Sequence, residues 1–253
     1  MQILEQAQDL PKAGNIKAQW VSLWTGGPIV GVVLLAAAGG AFPGFWPPMS
    51  PTMTAGEVAA FYAEHTAWIR LSQVTFNLCG IMIVPLLMVI VVQMKRMKGQ
   101  SHVFAYCFLT AVVSGGATIF FALSNIFFLV AAFRPERDPE LIQLLNDLAW
   151  IVFIAPVGMV VSQFVLLALA VYFDSSTDPV FPRWVGHFSL VVAAAMVPAA
   201  GAAIFQTGPL AWDGGVWSFW VRNGAYVAFV VVMFFVLRRA VYRQAIDDGV
   251  VAA

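Results

Sequence analysis

The sequence predicts an all-α fold, an integral membrane bundle of six transmembrane helices with short amphipathic helices on its outer face. Three observations predict it. Of 253 residues, 61% are hydrophobic and only 10% are charged, where a soluble domain uses about 25% charged residues to wet its surface. Mean hydropathy is +0.85. Six apolar stretches, at 21–43, 70–94, 103–132, 148–173, 184–206 and 217–240, each reach the roughly 20 residues a helix needs to cross a bilayer. Barrel strands would alternate apolar and polar residues over about ten positions, and no stretch does so. A water-soluble enzyme and a disordered chain, which needs low hydrophobicity and high charge, are both excluded.

The elements run in order within a single transmembrane domain, 1–253. Residues 1–19 are polar and mixed in charge. They lack the basic start and apolar core of a signal peptide, so the first apolar run is expected to remain as a span. The outer loop Phe42-Pro43-Gly44-Phe45-Trp46-Pro47-Pro48-Met49-Ser50-Pro51 is stiff and apolar; it is expected to fold over the bundle as a lid anchored by Phe45 and Trp46, or to dock on a partner. The second span is entered through an amphipathic lead-in. Thr54 and Glu57 have capping-box spacing, and Val58, Phe61, Tyr62, His65 and Ile69 recur at helical spacing. The fourth has a similar lead-in, capped by Asp138-Pro139-Glu140 and continued by Leu141, Leu144, Leu145 and Leu148. Both lead-ins end on Ala-Trp-Ile, at Ala67-Trp68-Ile69 and Ala149-Trp150-Ile151, which an internal repeat and similar physics at similar depth explain equally well. Gly115-Gly116 in the third span and Pro198 in the fifth are expected to bend their helices. The odd-numbered spans end on small residues and then Phe, as in Gly39-Gly40-Ala41-Phe42. Residues 241–253 form a tail.

Lys and Arg set the orientation. With the N-terminus inside, the inner segments hold Lys12, Lys17, Lys95, Arg96, Lys98, Arg183, Arg238, Arg239 and Arg243. The outer segments hold Arg70, Arg134, Arg137 and Arg222. The bias predicts a cell (inner) membrane protein with both termini cytoplasmic.

Chemistry-bearing motifs are few. Net charge is zero, so no basic field exists to hold nucleic acid. Cys79 and Cys107 lie in apolar runs as small hydrophobes. No phosphate loop, nucleophile elbow or paired-histidine zinc motif occurs. His65, His102 and His187 are too far apart and too few for a haem or iron site, so neither metal nor cofactor is expected and no catalytic residue is assigned.

Polar residues concentrate instead in the outer halves of the spans, where such side chains usually face the bundle interior or a cavity. Arg70, Gln73 and Asn77 share one face of the second span; Asn125 lies toward the outer end of the third. Asn146 and Asp147 open the fourth, with Trp150 beside them, Gln206 and Thr207 close the fifth, and Arg222 and Asn223 sit one turn into the sixth. Trp46 and Trp68 add aromatic surface at that level. One reading is structural: the arginines pair with Asp147 or Glu64 to fix helix register, or snorkel to the headgroups. A specific form of it pairs Arg222 with Asp147, with Glu64 or Asp213 as second choice. Another reading gathers these residues around an outer-facing, polar-rimmed aromatic pocket, and a third turns some of them toward a partner subunit. The inner halves read as nearly pure Val, Leu, Phe and Ala, with Gln163 the main exception. The nine tryptophans fit belts at both headgroup levels, with an excess on the outer side.

The runs FPGFWPPMSPT, AAFRPERDPE, NDLAW and DPVFPRW resemble those of an actinobacterial-type family of multi-pass integral membrane proteins. The resemblance runs through nearly the whole chain. It implies a six-helix membrane protein with a bias toward apolar metabolites, and assigns no role to any residue.

The function expected is non-enzymatic: binding or passing a small hydrophobic molecule through the outer pocket. An accessory or anchoring subunit of a larger membrane complex is the alternative, and a metal-free membrane enzyme the third reading. The partners named are membrane lipid, a small hydrophobic ligand, and a membrane-protein partner or a second copy of the chain.

Overall fold

A computed structural model describes residues 2–38, 40, 42–99, 102–213 and 215–251, without the side chains of residues 2–11, 29–30, 33–35, 37–38 and 116–121. Gly39 and Ala41, part of the small-residue ending read in the first span, lie outside the described residues. So do Ala252 and Ala253 of the tail. The described residues form helices and no strands: α1 (Gln2–Ala38), α2 (Ala55–Gly80), α3 (Ile83–Met94), α4 (Val103–Ala111), α5 (Ser124–Phe133), α6 (Pro139–Ile154), α7 (Gly158–Phe173), α8 (Arg183–Met196) and α9 (Arg222–Asp247). Wider π-turns join α4 to α5 over Val112–Leu123 and lead into α9 over Val216–Val221, and tighter turns extend α8 over Val197–Ala203.

Four helical stretches among the described residues are long and apolar enough to cross a membrane: Ala55–Met94, Pro139–Phe173, Arg183–Ala203 and Val216–Asp247. The chain is a helical membrane protein on that ground. Two shorter apolar helices, Val103–Gly115 and Ser124–Phe133, flank the π-turns.

Local chemistry explains the starts and the breaks. The Thr54 side chain accepts from Glu57 N, and Glu57 Oε2 accepts from Thr54 N at 2.7 Å. This is the expected capping box, satisfying orphan donors at the start of α2. Asp138 Oδ1 accepts from Glu140 N at 2.9 Å, with Pro139 at the first helical position of α6. α2 bends at His65 (φ −107°, ψ 15°). α6 stops because Pro156 has no N–H and Val157 N bonds to Ala155 O instead. The bends expected at Gly115-Gly116 and Pro198 both coincide with departures from α-geometry; the break at Pro156 falls inside a run read from sequence as one unbroken span.

The lead-ins are the first turns of α2 and α6; that of α6 runs straight on into the rest of its helix, and that of α2 is set off from the rest by the bend at His65. In α2 the expected face does turn inward, with Val58, Tyr62 and Ile69 buried. In α6 it is reversed. Leu141, Leu144 and Leu148 are exposed, while Ile142, Asn146, Ala149 and Trp150 are buried. Inside a bilayer the apolar stripe has no reason to turn inward, whereas an amide does, because lipid offers it no hydrogen bond. Tyr62 Oη donates to Asn146 Oδ1 at 3.1 Å and ties the two lead-ins together.

The loops gather at two ends. At one, Trp212 Nε1 donates to Met49 O (2.9 Å), Ser50 Oγ to Asp213 (2.7 Å) and Gln143 Nε2 to Met53 O (2.9 Å); this is the loop end. At the other, the basic end, Lys98 N meets Asp174, Arg96 meets Asp247, and Arg243 meets Asp178.

Candidate functional site: an aromatic cage at the loop end

The 42–53 loop does not lie over the bundle as a flat cover. It sends Phe45 into it. The Phe45 ring stacks on Trp150 (centroids 5.3 Å, interplanar angle 20°) and meets Phe76 at 5.1 Å, Phe153 at 5.1 Å and Phe128 at 5.9 Å. Phe42 is buried against Phe76. Trp46 stays near the surface, against Phe219 at 5.6 Å and Trp220 at 5.0 Å. Each such ring pair is worth about 0.5–1.5 kcal/mol beyond burial. Phe45 and Trp46 are thus the anchors of this loop, one deep and one shallow. Two buried polar atoms on the helices that supply the cage, Trp150 Nε1 and Gln73 Oε1, have no hydrogen-bond partner among the described residues. Buried polar groups without partners are rare and cost about 1–3 kcal/mol each.

The other residues read as a pocket rim act differently. Several donate to main-chain carbonyls of a neighbouring helix. Arg70 gives Nε and Nη2 to Ala132 O (3.0 and 2.9 Å) and Nη2 to Phe133 O (2.8 Å), capping the last turn of α5. Asn125, buried, donates to Gln73 O at 3.2 Å. Gln163, the exception in the inner halves and no part of that rim, is also buried and donates to Ala111 O (3.0 Å), where the α4 ladder gives way to π-turns. Arg222 is buried and donates Nη2 to Phe153 O at 2.6 Å. Its Nη1 reaches Asn223 Oδ1 at 2.9 Å, and its guanidinium lies 4.7 Å from the Phe153 ring centre. Phe153 O is the carbonyl that the break at Pro156 releases, since its helical partner would be Val157 N.

The Arg222–Asp147 ion pair is not formed. Among the described residues the ion pairs within 4 Å are Arg96–Asp247 and Arg243–Asp178, both at the basic end. Asp147 is half-buried beside Asn146, and Asn77 is half-buried. Gln206 and Trp68 face outward, Trp68 with 57% of its surface exposed. The structure therefore joins Trp150 with Trp46's loop, Gln73 with Asn125, and Arg222 with Asn223, and leaves Gln206 and Trp68 outside. Trp24, Trp184, Trp217 and Trp220 are exposed as belt residues are, whereas Trp150 and Trp212 belong to the core.

The sequence reading missed the polar core of the basic end. Gln19, Gln93 and Gln244, all buried, bring α1, α3 and α9 together. Gln93 Nε2 donates to Gln19 Oε1 (2.6 Å) and Gln244 Oε1 (2.9 Å), and Gln19 Nε2 to Gln244 Oε1 (3.1 Å). Arg96 Nη1 donates to Gln93 Oε1 at 2.7 Å. The signal was present as Gln93 within the apolar run IVVQM, but its partners lie 74 and 151 positions away. Asp174 is the second omission. Its buried carboxylate accepts from Lys98 N, Ser176 N and Val180 N at 3.1 Å each and from Ser176 Oγ at 2.6 Å. Burial opposes its charge, but these bonds together outweigh it and hold the carboxyl below its ordinary value. Gly99 (φ +80°) lets the 95–99 segment close onto it, since a Cβ there would stand 2.2 Å from Ser175 Oγ.

Compared with known proteins, the chain matches no family model, no curated protein and no solved structure.

Proposed function

We propose that the chain is a six-span protein of the cell membrane that takes a small apolar, ring-bearing molecule into the cage Phe45 fills, entering as the 42–53 loop withdraws. The observation that carries the reading is Phe45 itself: a ring supplied by a loop, and not by a helix of the bundle, occupies an aromatic site in which Trp150 Nε1 lacks a partner among the described residues. A ligand ring with an acceptor atom replaces the stacking and adds the missing hydrogen bond.

Six crossings are supported by the lengths of α1 and of the continuous helical run from Val103 to Phe133, both above the roughly 20 residues a span requires. The nine inner Lys and Arg against four outer ones support a cytoplasmic basic end. Thiol labelling of Thr177→Cys and Glu136→Cys, both at exposed loop positions, tests this in a Cys79→Ala/Cys107→Ala background. Reagent added outside intact cells labels position 136 and spares position 177; the reverse overturns the topology.

For the ligand, the purified chain is photolabelled with a diazirine-bearing phenyl probe. Saturable labelling of the Trp150–Phe153 segment, raised by Phe45→Ala, is expected. Labelling spread over lipid-facing residues, without saturation, overturns the reading.

A further inference from the structure

The basic end holds two adjoining cavities, of about 260 Å³ and 590 Å³, that share Asp178, Val180, Ala240 and Arg243. The larger falls within the roughly 300–1,000 Å³ of small-ligand sites. Their walls divide by chemistry. Cations stand at the rim: Arg96 and Lys98 from the 95–99 segment in the smaller cavity, Arg239 of α9 in the larger, and Arg243 of α9 in both. Facing acids Asp178 and Asp247 are already bonded to Arg243 and Arg96, which leaves Lys98 and Arg239, both exposed, to set the sign of the rim. The other wall of the larger cavity is apolar: Val232, Phe235 and Val236 along α9, faced by Trp184 at the start of α8. Phe235 and Trp184 are 59% and 49% exposed. From Val232 to Arg243 the groove follows α9 for about 16 Å at 1.5 Å per residue, with positive charge at its outermost part and hydrocarbon below.

A soluble anion uses only the first half of that surface, and a neutral lipid only the second. The geometry points to a site for a single anionic phospholipid of the basic-end leaflet, its phosphate between Arg239 and Lys98 and one acyl chain along Val232, Phe235 and Trp184. Basic pockets between helices at a membrane surface hold acidic headgroups in this way. The site goes beyond the cage at the opposite end and rests only on the chain being a membrane protein, so its failure and that of the cage reading are separate results.

The test is native mass spectrometry of the full chain in neutral detergent, titrated with dioleoyl phosphatidylglycerol, dioleoyl phosphatidylcholine and glycerol 3-phosphate. Phosphatidylglycerol is expected to bind one per chain and at least roughly tenfold more tightly than the other two. A cation that meets the phosphate contributes about fivefold, at about 1 kcal/mol each, so Arg239→Ala/Lys98→Ala lowers phosphatidylglycerol affinity by roughly 25-fold and leaves phosphatidylcholine unchanged. Arg238→Ala, an exposed neighbour that does not line the groove, changes it less than about twofold. Equal binding of the two lipids overturns the proposal, as does an effect of Arg238→Ala equal to that of Arg239→Ala, which means bulk charge. Glycerol 3-phosphate binding as tightly as the lipid also overturns it, because the site then belongs to a soluble phosphate.

Discussion

Replacing Arg222 by Met keeps most of the side-chain volume and removes its hydrogen bonds. Two contributions set the cost. Interhelical hydrogen bonds in membranes average about 0.6 kcal/mol and reach about 1.7. The 2.6 Å charge-assisted bond to Phe153 O belongs at the upper end, because charged donors roughly double a neutral bond. The guanidinium 4.7 Å from the Phe153 ring centre adds about 0.5–2 kcal/mol. The expected destabilisation is therefore about 2–4 kcal/mol. The part that tests the reasoning is its dependence on Pro156. Pro156→Ala restores the missing N–H and lets Val157 N return to Phe153 O, so in that background the Arg222 bond becomes largely redundant and the substitution costs about 1–1.7 kcal/mol less. Equilibrium unfolding of the four chains of this double-mutant cycle, in mixed micelles, reads the difference. Asp147→Asn serves as the contrast and is expected to add to Arg222→Met within about 0.5 kcal/mol. If Arg222→Met costs the same in the Pro156→Ala background as in the wild type, or if Asp147→Asn absorbs that cost, the carbonyl-capping account fails and an ionic role for Arg222 returns.

Three further outcomes are expected. Asp174→Asn loses charge-assisted bonds worth about 1.5–3 kcal/mol; since the folded chain holds this carboxyl below its ordinary value, the unfolded chain binds the proton first as pH falls. The wild type therefore loses stability below about pH 4 and the variant loses less, as thermal unfolding between about pH 3 and 7 will register. Gln93→Leu strands Gln19 Oε1 and an Arg96 donor, while Gln244 Oε1 keeps Gln19 Nε2, and costs about 1–3 kcal/mol, whereas replacing Gln19, Gln93 and Gln244 together by Leu costs less than the sum, because no stranded amide remains among them; denaturant unfolding of the single and triple variants decides it. Gly115→Ala places a Cβ 2.4 Å from Met159 Cβ, an overpacking of about 1–3 kcal/mol that Met159→Gly, which removes that Cβ, should relieve and Met159→Ala, which keeps it, should not, seen in the melting temperatures of the double variants.

Class and many of the boundaries were legible in one dimension. Scarce charge and long apolar runs require a membrane protein, because nothing else hides so much hydrocarbon. Caps were legible because their chemistry is local: Thr54 with Glu57 and Asp138 with Glu140 are three or two residues apart. The anchoring role of Phe45 and Trp46 was legible because a Pro-rich loop carrying large rings has few ways to hide them. What the polar residues do was not. Arg70, Asn125 and Arg222 read as a charged or amide rim, and Gln163 as an exception in an apolar inner half, yet all four answer to carbonyls on other helices, at Ala132, Gln73, Phe153 and Ala111. A carbonyl has no signature in sequence; it becomes needy only where its own helix breaks or ends, and its donor is chosen by which helix packs beside the break. The glutamine cluster has the same character, since Gln19, Gln93 and Gln244 meet only once three distant helices are side by side. Hydrophobicity, a property of each residue alone, decided that this chain lies in a membrane; hydrogen bonding, a property of pairs, was decided only by the tertiary structure.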